Sequence, residues 1–152
     1  MKGILAGLAL LAMAGCNGAT NPIEKLPIYP GWFLSTIDGA YPPIPDWNGG
    51  TLVAAGLYFR DFTADGNGGS GVVTFTTNVL RGSVPEPTSA DLNFTISGGQ
   101  LRINLCPPGG ACFAVTDELH GPIGERTDPL VLTRYVGGQA GAVFRFGPAL
   151  PD

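Results

Sequence analysis

The chain has 152 residues, and about a quarter of them are either Gly (24) or Pro (14). Average proteins contain roughly 7% Gly and 5% Pro, and because both residues interrupt regular structure, this surplus argues against a helical bundle. With 44% hydrophobic and only 13% charged residues, the chain is also too apolar to remain unfolded. The net charge of −4 and the lack of a basic run argue against nucleic-acid binding.

The N-terminus has the organisation of an export signal. Lys2 gives a positive start, and the ten apolar residues 4–13 are followed by small residues and then by Cys16. This run is half of the roughly 20 residues that a membrane-spanning helix needs, so it does not predict a permanent transmembrane anchor. A generic secretory signal is one interpretation, and it would leave Cys16 as an ordinary thiol.

The sequence Met13-Ala14-Gly15-Cys16 resembles a bacterial lipobox, although the family usually has Leu where this chain has Met13. The resemblance implies that residues 1–15 are a cleaved signal peptide and that Cys16 is acylated and holds the protein to a membrane of the bacterial cell envelope. Because Asn17 is not Asp, it implies the outer membrane in a cell with two membranes. Residues 16–31 are polar and rich in Pro, which predicts a flexible tether.

Short segments rich in Val, Ile, Thr and Phe alternate along the rest of the chain with clusters of Gly, Pro, Asn and Asp. This pattern predicts β-strands separated by turns. It indicates one all-β domain over residues 32–152, an antiparallel up-and-down barrel of about eight strands, with a β-sandwich as the alternative. The predicted strands are residues 32–37, 52–62, 72–80, 92–96, 101–105, 113–119, 130–136 and 142–146.

Two cysteines remain if Cys16 is acylated, and an exported protein is in an oxidising compartment. We therefore predict a structural disulfide between Cys106 and Cys112 across a Pro- and Gly-rich turn. Zinc would need further ligands from a chain with one histidine, and the spacing does not fit a redox pair, so we predict no metal and no cofactor.

Hairpin turns predict the register of three strand pairs. A two-residue turn at Gly98 and Gly99 places Phe94 opposite Ile103 on one apolar face. Placing Cys106 opposite Cys112 then continues this face and brings Ile103 opposite Val115. Both pairings follow the two-residue alternation of a strand with one buried face.

The last hairpin is predicted to pair Val136 with Ala142 across a Gly-rich loop. This register brings Leu132 opposite Phe146 and Arg134 opposite Phe144, which puts a guanidinium on an apolar face. An unpaired buried charge is costly. Arg134 therefore either lies at the barrel rim beside an aromatic or acidic partner, or lies in solvent at a frayed strand end.

The Gly31-Trp32 pair that opens the first strand, the eight strands, and an Arg in the penultimate strand together resemble the lipocalin-like barrels of bacterial envelope lipoproteins. The resemblance implies a cup for an apolar small molecule, with Trp32 closing one end of the barrel and Arg134 packed on it. The chain departs from the family in that Gly31 directly precedes Trp32, whereas the common spacing is Gly-x-Trp.

Catalytic and cofactor motifs are weak in this sequence. Residues 66–71 match G-x-G-x-x-G, but a strand follows them where a dinucleotide site needs a helix. Asp61, Asp65 and Asn67 lack the spacing of an EF-hand calcium loop. His120 is predicted to lie in a polar loop, and the adjacent Asp117 and Glu118 would point to opposite faces of a strand, so no acid–base dyad is formed. We therefore expect that the protein is not an enzyme.

Two functions remain. The first is a membrane-anchored lipoprotein whose barrel binds a small apolar or amphipathic ligand. The second is an envelope protein-interaction module, an inhibitor or an assembly factor, in which the same aromatic residues fill the core. The candidate ligand-binding residues are Phe75, Phe94, Ile103, Phe113 and Phe144.

Overall fold

The structure is a computed structural model that describes residues 31–46, 49–65, 68–106, 116–124 and 128–148. Several of the residues singled out above lie outside these ranges. They are the proposed signal peptide, the lipidation candidate Cys16, nearly all of the predicted tether, and Cys112 and Phe113. The predictions for these residues stay predictions.

The described residues form nine strands in one antiparallel sheet. Eight of the strands close into a barrel, because the first strand pairs both with the last strand and with the third, and the second strand is an extra strand on the third. The predicted up-and-down barrel is therefore confirmed, and the sandwich alternative is wrong. The strands are β1 (Trp32–Ile37), β2 (Ile44–Pro45), β3 (Thr51–Asp65), β4 (Gly68–Arg81), β5 (Val84–Ser97), β6 (Gln100–Asn104), β7 (Asp117–Pro122), β8 (Leu130–Val136) and β9 (Gln139–Pro148).

The hydrophobic core fills one end of the barrel, which we call the base. Trp32 at the start of β1 is 2% exposed, and Phe94, Ile103 and Phe146 are equally well buried. The ring of Phe94 packs edge-on against Phe59, with 5.1 Å between the ring centroids. The chain enters the barrel at the base, and the Gly98–Gly99 turn of the β5–β6 hairpin lies at the same end.

The three predicted registers have different outcomes. The β5–β6 pairing is confirmed, with Phe94 opposite Ile103. The β6–β7 prediction is wrong by four residues, since Ile103 lies opposite Leu119 rather than Val115. The β8–β9 prediction is wrong by two residues at Leu132, which lies opposite Phe144 rather than Phe146, and by three at Val136, which lies opposite Gln139 rather than Ala142. Shifts of two and four residues keep a residue on its predicted face while its partner changes, and the odd shift at Val136 follows from the irregularity between Thr133 and Tyr135.

At the opposite end, which we call the mouth, β3, β4 and β5 extend beyond the rest of the barrel. β6 pairs only with the last four residues of β5, and residues 84–89 of β5 are exposed on both faces. We call this extension, residues 51–55, 76–81 and 84–89, the arm. Strand β5 is consequently longer than the apolar pattern predicted, because the mainly polar residues 84–91 pair with β4 up to the Gly82–Ser83 turn.

The free edge of the arm carries Pro85 and Pro87. Arg81 and Val84 flank a two-residue turn and form the hydrogen-bonded pair next to it. Because hydrogen-bonded and non-hydrogen-bonded pairs alternate along an antiparallel ladder, Pro85 and Pro87 are in non-hydrogen-bonded pairs, and their backbone nitrogens point away from β4. Proline has no N–H to offer at these positions, and its presence discourages pairing of the edge with another strand.

Candidate functional site

The mouth of the barrel contains a cavity of about 240 Å³, which we call the mouth cavity. Its floor is apolar and consists of the buried side chains of Leu92, Leu119 and Phe144. One wall is the cross-strand pair of Phe75 on β4 and Ala90 on β5. The packed core therefore ends one layer below the mouth and leaves apolar surface open.

The opposite wall of the mouth cavity consists of Leu105 and an ion pair between Asp117 and Arg134. The guanidinium donates two hydrogen bonds to the carboxylate, from Nε to Oδ1 at 2.9 Å and from Nη2 to Oδ2 at 2.6 Å. Both side chains are about one-quarter exposed, at 28% for Arg134 and 27% for Asp117. The ion pair thus gives the otherwise apolar cavity one polar side that water can reach.

Two features of the strands bring Asp117 and Arg134 together. Leu119 lies opposite Arg134 and Asp117 lies opposite Val136, so Asp117 and Arg134 are diagonal neighbours on the inward face of β7 and β8. A register shift between Thr133 and Tyr135 also frees Arg134 from a direct partner on β9. The expectation that Arg134 has an acidic partner at the rim is confirmed, and its predicted position opposite Phe144 is wrong.

The ion pair changes the proton affinity of the guanidinium. The hydrogen bond to Asp117 raises the pKa of Arg134 above its ordinary value, and the negative charge of Asp117 adds to this effect. Partial burial acts in the opposite direction and is the smaller influence overall. Arg134 is therefore a fixed positive charge at any physiological pH.

The candidate ligand-binding residues are divided between the cavity and the core. Phe75 and Phe144 line the mouth cavity. Phe94 and Ile103 are 1% and 0% exposed and belong to the packed base, so they support the cavity without lining it. Phe113 lies outside the described residues.

Trp32 and Arg134 lie at opposite ends of the barrel. Trp32 lies opposite Pro148, the last residue of β9. Arg134 comes directly after Thr133, which lies opposite Val143 near the other end of β9. These levels are five residues apart along β9, a separation of roughly 17 Å at about 3.3 Å per residue. Arg134 is hydrogen-bonded to Asp117 instead of packing on Trp32. The buried Trp32 Nε1 has no hydrogen-bond partner among the described residues.

Cys106 follows β6 at the mouth and is disulfide-bonded. Its backbone N–H donates to Asn104 Oδ1 at 2.9 Å. Cys112, the predicted partner, lies outside the described residues, so the Cys106–Cys112 pairing stays a prediction. With the observed β6–β7 register, Cys106 aligns with Thr116.

His120 lies in β7 and not in a loop, which corrects its predicted position. Its Nε2 atom is 2.6 Å from Glu118 Oε2, and its ring stacks on Tyr135 with 4.8 Å between centroids. This group lies on the outer face of the barrel, because Asp117 and Leu119 point into it. As predicted from strand alternation, Asp117 and Glu118 do not act on a shared site.

The described residues contain no group of three His, Cys, Asp or Glu side chains that could hold a metal ion. Of the residues compared above with a calcium loop, Asp61 is exposed and its carboxylate is 3.6 Å from the guanidinium of Arg60. Asn67 lies outside the described ranges. Nor does this part of the chain include a helix long and apolar enough to cross a bilayer.

Two further cavities flank the arm. The one on its inner face has a volume of about 260 Å³ and shares Phe75 and Ala90 with the mouth cavity. The other is a groove of about 420 Å³ on the outer face, beside Phe33, Tyr58 and Pro87. Strand alternation in the sequence gives no sign of these cavities, because they depend on the tertiary arrangement of the strands.

The chain was compared with known proteins, and no family model, curated protein or solved structure matches it.

We predict that Asp117→Asn lowers the free energy of unfolding by about 1–3 kcal/mol, the usual contribution of hydrogen bonds to a charged group. The substitution keeps the shape of the side chain and removes the charge that holds Arg134 in the cavity wall. Urea unfolding measures the change. The control is Glu86→Gln in the exposed Arg81–Glu86 pair, where we expect less than about 1 kcal/mol. Equal losses in the two variants would contradict a special role for the pair at the mouth.

Proposed function

We propose that this protein is an exported lipoprotein that binds a small apolar or amphipathic ligand in the mouth cavity without catalysing a reaction. The observation that carries the proposal is the combination of an apolar floor with one hydrogen-bonded ion pair in the cavity wall. Ligand sites generally have this composition, with mostly apolar walls and a few polar groups that orient the ligand.

The apolar walls of the mouth cavity give such a ligand a source of binding free energy. Phe75, Ala90 and Leu105 are only partly buried, and covering them contributes about 25 cal/mol for each Å² of apolar surface removed from water. The ion pair stays hydrogen-bonded within the protein, so a ligand can cover its neighbours without leaving a charge unpaired. An apolar ligand is thus favoured over a highly charged one.

The cavity volume limits the size of the ligand. Sites for drug-sized molecules have volumes of roughly 300–1,000 Å³. The mouth cavity, at about 240 Å³, lies below this range. A large, rigid polycyclic molecule does not fit into it, whereas a small ligand or one part of a flexible ligand does.

The proposed anchor and the cavity would lie at opposite ends of the domain. Gly31, the first described residue, lies at the base beside Tyr58, while Asp117 and Arg134 lie at the mouth. If Cys16 is acylated as the lipobox resemblance implies, the tether joins the base to the membrane. The mouth would then open away from the bilayer surface toward the aqueous compartment.

A second candidate function is a protein-interaction module of the envelope, an inhibitor or an assembly factor. The outer groove of the arm supports it, because Phe33 is 49% exposed there and packs edge-on against Tyr58 at 6.1 Å. The filled base is also what this alternative expects. The mouth cavity favours the ligand-binding function, since a pure interaction module has no need of an open apolar interior.

We predict that the uncharged apolar dye N-phenyl-1-naphthylamine binds the protein with increased, blue-shifted fluorescence, and that Ala90→Trp weakens this binding at least tenfold. Ala90 is in the cavity wall, so an indole there occupies the space of the ligand. Fluorescence titration gives the dissociation constants.

The matched control is Asn93→Trp, on the same strand but on its exposed face, which should bind the dye like the unmodified protein. Circular dichroism and a thermal unfolding midpoint establish that both variants are folded. Equal dye binding by the two tryptophan variants would refute the mouth cavity as the binding site.

For the anchor, we predict that Cys16→Ser moves the protein from the membrane fraction to the soluble fraction and abolishes labelling with a radioactive fatty acid. Two or three acyl chains hold a protein to a bilayer durably because each buried CH₂ contributes about 0.8 kcal/mol. Cys106→Ser serves as the control, since it alters a cysteine of the folded domain. Retention of Cys16→Ser in the membrane would contradict the lipoprotein proposal.

A further inference from the structure

The mouth cavity and the cavity on the inner face of the arm are neighbours that share two lining residues. Phe75 and Ala90 lie directly opposite each other on β4 and β5 and line both spaces. From this shared pair, the side chains of Leu52, Thr77 and Val79 carry the surface outward along the arm. We call the two neighbouring cavities together the mouth–arm trough.

The shape of the mouth–arm trough is elongated. Its two parts have volumes of about 240 and 260 Å³, each below the roughly 300 Å³ at which pockets for compact ligands begin. Along β4, the arm part reaches from Phe75 to Arg81, six residues or roughly 20 Å at about 3.3 Å per residue. A flexible chain can occupy both parts at once, whereas a small ring compound can occupy only one of them.

We propose that the mouth–arm trough holds one uncharged, single-chain amphiphile, with its polar head beside Asp117 and Arg134 and its alkyl chain along the inner face of the arm. This inference rests on the proposed function, because the head lies in the same cavity. It adds the class of ligand and its direction of binding.

The head group is assigned from the charge balance at the ion pair. Arg134 and Asp117 are joined by two hydrogen bonds, and as a pair they carry no net charge. A charged head would lose water beside this pair without gaining a full countercharge, because its attraction to one partner is offset by repulsion from the other. Hydroxyl groups both donate and accept hydrogen bonds, and the ester or ether of a glycerol or sugar head adds acceptors.

The length of the alkyl chain is limited by the end of the arm. Arg81 Nε donates to Glu86 Oε2 at 2.7 Å across the outer end of the trough, and both residues line it. Among the described residues, the lining of the trough ends at this exposed ion pair. Binding should therefore strengthen with each CH₂ up to this point and then level off.

The experiment measures binding of the monoacylglycerols monocaproin, monocaprin and monolaurin to the full chain by calorimetry, below their aggregation concentrations. We expect the affinity to rise about two- to fourfold for each added CH₂ within this series, because the trough buries part of every CH₂. Lauric acid, which has the same chain as monolaurin but an anionic head, should bind at least tenfold more weakly.

Two matched variants test the direction of the chain. Val79→Asp places a carboxylate on the inner face of the arm, and Leu80→Asp places one at the neighbouring position on the opposite face. We expect Val79→Asp to remove the gain in affinity with chain length, because it places a charge beside the alkyl chain. Leu80→Asp should retain the gain.

The outcomes separate this inference from the proposed function. The uncharged single-chain ligand would be overturned by an affinity that does not depend on chain length, by tighter binding of lauric acid than of monolaurin, or by equal effects of the two arm variants. If the dye still binds and Ala90→Trp still weakens its binding, the mouth cavity remains supported as a ligand site. Failure of the dye and of all three monoacylglycerols to bind would overturn both.

Discussion

The Asp117–Arg134 ion pair sets the point at which the packed core of this barrel ends. Both side chains are directed inward by the alternation of β7 and β8, and two charges cannot enter a dry apolar core without a large desolvation cost. They remain instead at the mouth, hydrogen-bonded to each other and about one-quarter exposed. The cavity above the buried Leu92, Leu119 and Phe144 then keeps partly exposed apolar walls, which are the physical basis of the proposed ligand site.

The alternation of apolar and polar residues allowed the barrel fold to be predicted from the sequence, but it did not determine the register of several strand pairs. Gly98 and Gly99 define a tight turn, so the β5–β6 register was correctly predicted. The β6–β7 register was wrong by four residues and the β8–β9 register by two at Leu132, because a period of two cannot distinguish registers that differ by an even number. The irregularity between Thr133 and Tyr135, which adds a further residue at Val136, has no sign in the alternation. The partner of Arg134 could not be predicted either, because Asp117 lies across the β7–β8 pairing, for which no turn predicted a register. The cavity itself and the arm arise from tertiary packing and from polar strand residues, which carry no hydrophobic pattern.

The arm gives the mouth cavity a second, longer apolar surface. An eight-stranded barrel of this size has room in its interior for little more than side chains. Extending three strands beyond the rim adds the surface of Leu52, Phe75 and Val79 without enlarging the barrel. Pro85 and Pro87 protect the exposed edge that this extension creates. A filled base, an ion pair at the rim and a protruding arm thus account together for a site that suits an elongated, uncharged amphiphile.

The most direct measurement is the set of intermolecular nuclear Overhauser effects between monolaurin and the isotope-labelled full chain. The account predicts contacts from the alkyl protons to the methyl groups of Leu92 and Val79 and to the ring of Phe75, and none to Ile103 in the packed base. Contacts confined to Phe33 and Tyr58 in the outer groove would contradict it, because they would place the ligand on the other face of the arm.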